Sequence, residues 1–483
     1  MKLDLKDFFK LSIIYTVIAA FPPLLQIFSQ PIIEGNNRLN AVDFSQIAIA
    51  ESISSLVFVI VLFSMGAAIS RFYYDYNDDK TKLNKLISTI FNSILFRGVI
   101  ILLLAFAFGD RLVSLFSQTE LQDFSSYGYY AIIIGISRAI NNTVAALFRN
   151  ERKLINFIIL NISLGIIRIA FQLIGIFYIE MSFIGYVYGS CIGSGIIAST
   201  ILIYIYYKSG FSFNIKLIKE THIFSSPLFF NAVCVIVFTQ ADKLFLENQP
   251  TELGIFFTAT SLALGVQMII HGLYGAAQPE VFKFMKAGIT KQMNEIKQIS
   301  NIIIMQTIAI VTFSIIPVML YISYFYETDV RLASNLILIL FIRHILKTQY
   351  YVFTWPLMFM KKTNLIFGIN VIALVIYLAL NFALVPTWGY YGIITSLFIS
   401  DFIIVIISYY IQKRIIQIDW NLKKALLFPF GIVVTTVVLE IIKLRFEWNT
   451  FINPILFISM ISISIVLLYK KELTKSISKF RLK

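Results

Sequence analysis

From residue 10 to residue 469 the chain is a nearly continuous series of apolar runs, each about as long as the ~20 residues a helix needs to cross a bilayer. A backbone in hydrocarbon finds no water to bond, so such segments must close their hydrogen bonds internally, as helices. Hydrophobic residues fill 58% of the 483 positions, where soluble domains sit near roughly 45–50%. An all-α integral membrane protein follows, with about fourteen spans. The connections are too short to house an ATPase domain, and no GxxxxGK[ST] loop is present. The formal charge of +14 is not a nucleic-acid footprint, because the basic residues lie in short clusters between apolar runs and form no basic face. The run from Leu11 to Ile33 follows basic residues as a signal peptide would, but no small-residue cleavage site closes it. It reads as the first span.

Charge bias between loops sets the orientation. With the N-terminus inside, 29 of the 40 Lys and Arg fall in cytoplasmic segments, six in external loops and five within spans. Both termini are therefore expected in the cytoplasm, the C-terminus as a basic tail. Trp388 and Trp448 fall at predicted outer boundaries and Trp420 at an inner one, as interfacial anchors do. Cys191 and Cys234 lie inside apolar runs and are expected as buried thiols.

Three sequence matches share one offset. Phe28-Ser29-Gln30 pairs with Phe238-Thr239-Gln240, Gly66-Ala67-Ala68 with Gly275-Ala276-Ala277, and Phe148 with Phe359. Agreement at three places in order predicts a duplication of six spans. The expected organisation is an N-lobe (1–210, spans 1–6), a C-lobe (211–415, spans 7–12), and two extra spans with the tail (416–483). An even number of spans per lobe makes the repeats parallel, with a substrate site expected between them.

Arg97, Arg138, Arg168, Arg343 and Lys347 fall near the middle of spans. On insertion scales each costs roughly 2.5–3.5 kcal/mol at the centre of a lone helix, about 12–17 kcal/mol together. A wet, cationic cavity for an anionic cargo accounts for them. Asn141 and Asn142 continue the face of Arg138, and Tyr350 and Tyr351 that of Lys347. Under the repeat offset Lys347 matches Arg138 within about a residue, so the lobes present opposed cations, as a clamp on phosphate or pyrophosphate requires. Tyrosine rings beside them suit sugar faces. The competing reading is structural ion pairing, with Glu51, Asp401 and Glu440 as partners and Glu51 the expected partner of Arg97 and Arg168. Glu51 and Asp401 are equally candidates for proton or cation coupling. Asp242, next to Lys243, reads as interfacial, and Gln267 with His271 as a weak polar lining. Gly185, Gly189 and Gly193 in span 6, and Gly389, Gly392 and Ser396 in span 12, form small-residue ridges for close helix packing. No HExxH, Cys/His cluster or nucleophile elbow is present. Neither metal nor other cofactor is expected, and the chain reads as a transporter and not an enzyme.

The GAA segment running into Arg71-Phe72-Tyr73-Tyr74, Asp242-Lys243-Leu244 after span 7, Gly254-Ile255-Phe256 opening span 8, and the Gly389–Gly392 ridge together resemble the polysaccharide flippase branch of the multidrug/oligosaccharidyl-lipid/polysaccharide (MOP) exporter superfamily. The resemblance covers nearly the whole chain. It implies a flippase of the bacterial cytoplasmic membrane that moves an undecaprenyl-(pyro)phosphate-linked oligosaccharide through a cationic central cavity. Membrane lipids and polysaccharide polymerase machinery are the implied partners, and a monomer the implied state. Fourteen spans are also the number in lipid II flippases, where the two extra helices form a groove for the lipid tail. A lipid II flippase and a multidrug antiporter of the same superfamily are the alternatives. A membrane glycosyltransferase or ligase is a third, disfavoured by the lack of a long external loop.

Overall fold

The computed structural model describes residues 5–76, 78–446, 449–470 and 472. Trp448 and the basic tail past residue 472 lie outside the described residues. Among these the chain is helical nearly throughout, with one isolated bridge, Glu34 to Leu39, as its only extended pairing. The helices are α1 (Leu5–Ile33), α2 (Ala41–Leu62), α3 (Met65–Tyr76), α4 (Lys80–Val113), α5 (Phe124–Asn150), α6 (Leu154–Ile174), α7 (Phe183–Ser209) and α8 (Ile215–Phe245). There follow α9 (Pro250–Lys286), α10 (Met293–Phe325), α11 (Ser334–Phe359), α12 (Thr363–Ile415), α13 (Phe428–Phe446) and α14 (Ile452–Leu468). Among the described residues, ten helical segments are long and apolar enough to cross a membrane. One of them, α12, is two helices joined at Gly389, whose φ of 51° and ψ of −134° no helix accommodates. α1 and α14 contribute shorter apolar stretches, and α11 carries the polar residues Arg343, His344, Lys347 and Gln349. Fourteen passes result, as hydropathy predicts.

Two compact units divide the chain, one of Ile13–Phe257 with Glu327–Asp329, the other chiefly of Thr258–Tyr326 and Val330–Lys483. In the first, α5 packs on α2, α3, α4 and α7, and α6 packs on α7. The Gly185–Gly189–Gly193 ridge explains the last contact. A methyl group at Gly189 would stand 2.1 Å from the Phe171 carbonyl oxygen and one at Gly193 2.8 Å from the Arg168 Cα. Only glycine lets the two backbones meet, the close approach this motif provides without a hydrophobic drive. In the second unit α11 lies against α10, α12 and α13, while α14 rests on α10 and α13. Gly392 seats the second half of α12 on the first, since a Cβ there would be 2.8 Å from the Leu384 backbone. Cys191 and Cys234 are free thiols, the first buried and the second partly exposed.

The second span is not the single helix that its apolar run predicts. α2 ends at Leu62, and Phe63 and Ser64 both adopt left-handed backbone, with φ of 46° and 56°. Non-glycine residues pay a conformational cost there, and neither break residue is Gly or Pro. Its cause lies on other helices: Arg97 of α4 donates through Nε to the Val61 carbonyl at 2.8 Å, satisfying an acceptor that the interrupted helix leaves open.

Candidate functional site

Among the charged groups inside the spans, two clusters stand out, one in each compact unit. In the first unit α2 brings Glu51, Ser54 and Ser55; α5 brings Arg138; α6 brings Arg168; α7 brings Tyr186 and Ser190. A small recess lined by Glu51, Ser54, Arg138, Arg168, Tyr186 and Ser190 lies among them, with room for about one water, about 10 Å³. Glycines set the spacing. A Cβ on Gly135, one turn before Arg138, would be 2.7 Å from the Ser54 carbonyl oxygen, so α5 presses on α2 and Arg138 reaches Ser55, donating to its Oγ at 3.2 Å. The guanidinium also lies 5.4 Å from the Phe58 ring centre, a cation–π contact. Gly193 sets α7 against Arg168 in the same way, and Arg168 donates to Glu51 at 3.2 Å. Tyr186 donates to the same Glu51 oxygen at 3.1 Å and accepts from Gln26 of α1 at 3.1 Å. Gln172 and Ser190 tie α6 to α7 at 2.7 Å. The Arg168–Glu51 side chains are 26% and 32% exposed, so this pair is reachable.

The second group is built on α11. Arg343 and Lys347 stand one turn apart, and Arg343 pairs with Asp401 of α12 at 2.5 Å, with exposures of only 14% and 2%. Lys347 has Arg343 and Asp401 within electrostatic reach, yet its ammonium makes no hydrogen bond or ion pair among the described residues. Tyr350 donates to Asn370 of α12 at 2.9 Å. Tyr351 sits in an aromatic cluster, its ring centre 4.7 Å from that of Tyr274 and 5.4 Å from that of His271, and Tyr274 stacks on Trp355. Gln267 and His271 of α9 hydrogen bond at 3.0 Å beside them. His344 is buried.

Each group therefore holds two cations against one carboxylate. Of the residues singled out from sequence, Arg138, Arg168 and Glu51 converge, as do Arg343, Lys347, Asp401, Tyr350 and Tyr351. Arg97 does not join Glu51. It serves the α2–α3 break, where its second contact is His222 at 3.0 Å and its guanidinium lies 5.6 Å from the Phe63 ring. His222 Nδ1 faces the Ile218 carbonyl oxygen at 2.8 Å, so that nitrogen carries the proton and Nε2 accepts from Arg97. Asn142 is exposed and its amide oxygen stands near Gly66 of α3, whereas Asn141 is buried. Asp242 and Lys243 are buried within the protein: Lys243 donates to Gln240 at 2.5 Å, and Gln240 accepts from Ser52 at 3.0 Å. Tyr186, Gln26 and Asn370 were missed by sequence reading. Gln26, one turn past the Pro22-Pro23 pair of span 1, offered the one available signal, a polar residue deep in an apolar run.

No family model matches the sequence, and no curated protein matches it. Among solved structures, the lipid II flippase MurJ in an inward closed conformation superposes with a TM-score of 0.71 at 16% identity, covering 95% of this chain and 100% of that one. An inward-facing MATE-family multidrug resistance transporter of the MOP superfamily gives a TM-score of 0.67 at 14% identity, over 83% of this chain and 97% of that one. A MOP-superfamily transporter from Pyrococcus furiosus, described by the reversed polarity of its binding pocket, gives 0.53 at 14% identity, over 84% and 95%. These identities speak to architecture alone. Fourteen helical passes and superposition over nearly the full length give this chain the fold of the MOP-superfamily transporters.

Proposed function

We propose that this chain is a flippase that carries an undecaprenyl-(pyro)phosphate-linked oligosaccharide, the repeat unit of an O-antigen, capsule or exopolysaccharide, across the bacterial cytoplasmic membrane by alternating access. The observation that carries the reading is the shared charge balance of the two polar groups, each with one cation more than its carboxylate neutralises. A cationic drug would meet repulsion there, which argues against multidrug antiport. Each unit by itself offers a phosphate a pair of cations, Arg138 and Arg168 in one and Lys347 and Arg343 in the other, with Tyr350 and Tyr351 beside the latter pair for sugar rings. Arg gives a planar two-point contact to phosphate and Lys a point charge. Glu51 and Asp401, each already holding an arginine, are the places where a coupling cation or proton would act, by competing for the carboxylate. Asn142 and Arg97 take supporting places, outside the two groups.

Within this proposal the lobes follow the sequence duplication, 1–210 and 211–415, with 416–483 appended. The chain works as a monomer with both termini in the cytoplasm, among membrane lipids and alongside polymerase machinery. Lipid II as cargo is a second reading, supported by one observation: the MurJ superposition covers 95% of this chain, too complete to leave out both α13 and α14. Export of glycan by cells that depend on this chain tests the assignment. Arg138→Ala and Lys347→Ala should each lower export about tenfold or more at normal protein levels, and normal export in both variants rejects the proposal. Reconstituted vesicles supplied with either lipid II or a lipid-linked oligosaccharide separate the two cargoes.

A further inference from the structure

A second feature of the first unit shares no lining residue with the recess around Glu51. α6 and α7 part over an open groove of about 340 Å³ lined by Phe148 at the end of α5, by Leu160, Ser163 and Ile167 of α6, and by Ile197 and Thr200 of α7 among others. Its size is at the lower end of small-molecule sites, roughly 300–1,000 Å³. The apolar residues around it, Ile155, Ile159, Ile196 and Ile203, are exposed, as a surface that faces lipid would be. Phe148 and Tyr204, whose rings meet edge to face at 6.0 Å, border one end of the groove. Beyond that end the chain concentrates charge. Arg149 follows Phe148, with its guanidinium 5.9 Å from the Phe157 ring, Arg152 is exposed on a left-handed residue with φ of 55°, and Lys208 is one turn past Tyr204. Glu151 fixes Lys153 at 2.8 Å and Lys208 at 2.5 Å. Its hydrogen bond holds the Lys153 pKa above the ordinary value, so the charge persists at any physiological pH. Arg149, Arg152, Lys153 and Lys208 thus stand with one carboxylate, Glu151, on the segments that follow this end of the apolar slot.

We propose that this groove is a binding site for one anionic phospholipid of the cytoplasmic leaflet, its phosphate at Arg149, Arg152, Lys153 and Lys208 and one acyl chain between α6 and α7. By loop charge this end is cytoplasmic, and basic pockets between helices on that side suit anionic head groups. The volume takes a single chain, too little for a long polyprenyl tail, so the occupant is a bilayer lipid and not the cargo. The inference holds whatever glycan is carried.

Native mass spectrometry of the purified full chain, offered phosphatidylglycerol and phosphatidylcholine with matched acyl chains, tests it. One phosphatidylglycerol should be retained per chain in clear preference to phosphatidylcholine. Arg149→Gln and Arg152→Gln should each lower that preference about fivefold, from about 1 kcal/mol per cation near the surface. Thr200→Trp, which fills the groove without touching the charge, should abolish retention of both lipids, and Ser163→Phe does the same from the opposite wall should the first variant fail to fold. Equal retention of the two lipids, or full retention in a folded groove-filling variant, overturns the site. Competition by glycerol phosphate as strong as by the lipid would reduce it to an anion site, and preferential retention of polyprenyl phosphate would give the groove to the cargo. Either outcome rejects the phospholipid.

Discussion

The two polar groups have the same formal composition and hold it in opposite ways. Around Glu51 the ion pair is about one-quarter to one-third exposed, the carboxylate is shared between Arg168 and Tyr186, and the second cation, Arg138, rests on a serine hydroxyl and an aromatic face. Around Asp401 the pair is closed, at 2.5 Å and nearly fully buried, and the second cation, Lys347, has no partner among the described residues. Exposed pairs contribute little, about 0–1 kcal/mol, because solvent screens them. Buried pairs have given up hydration on both sides, and losing one partner strands the other. The first group is thus free to exchange partners at small cost. The second has a rigid strut and, one turn away, a cation available for a ligand.

The largest effect expected from this contrast is at Asp401. Asp401→Asn leaves Arg343 buried without its counter-charge and should lower stability by about 3–5 kcal/mol, read as a fall in the unfolding temperature of purified protein. Replacing both members by apolar residues of similar volume, Arg343→Met with Asp401→Leu, should restore most of that loss; a double variant as unstable as the single one would show that the pair is not a simple strut. Next comes Lys347→Ala, expected to reduce transport about tenfold to a hundredfold, from the roughly 1.5–3 kcal/mol of a charged hydrogen bond, at unchanged unfolding temperature. Lys347→Arg should recover part of the rate. Glu51→Gln should cost no more than about 1 kcal/mol of stability, and a loss equal to that of Asp401→Asn would erase the distinction between the two groups. The smallest effect belongs to Tyr186→Phe, about 1 kcal/mol from one hydrogen bond, visible as a modest shift in the same melting measurement.

Much of this architecture is legible in the amino-acid order. Hydropathy alone yields fourteen passes, because each must be apolar over the thickness of a bilayer, and the Gly185–Gly189–Gly193 spacing forecasts close helix packing, whose partner, α6, the structure supplies. The stranded cations are visible for the same reason: an apolar background makes every charge conspicuous. Their partners are not. Arg97 and Arg168 look alike in sequence, each one charge in an apolar span, and both seem suited to Glu51. The structure gives Glu51 to Arg168 and sends Arg97 to the Val61 carbonyl. Asn141 and Asn142 are adjacent, yet one is buried and the other exposed, a distinction that 100° of helical rotation makes and a span boundary cannot. Lys243 lies near a helix end, where sequence gives no sign of burial, and it is buried with Gln240 and the Thr239 carbonyl oxygen receiving its ammonium.

By itself the sequence determined that this chain is a helical membrane protein, how many times it crosses, and that positive charge is held at depth, since these depend on composition along one dimension. Which carboxylate neutralises which cation, where the second span breaks, and that Lys347 has no partner among the described residues were decided by tertiary structure. Those outcomes depend on the rotation and register of helices against one another, which pairwise packing sets and a linear order does not encode locally.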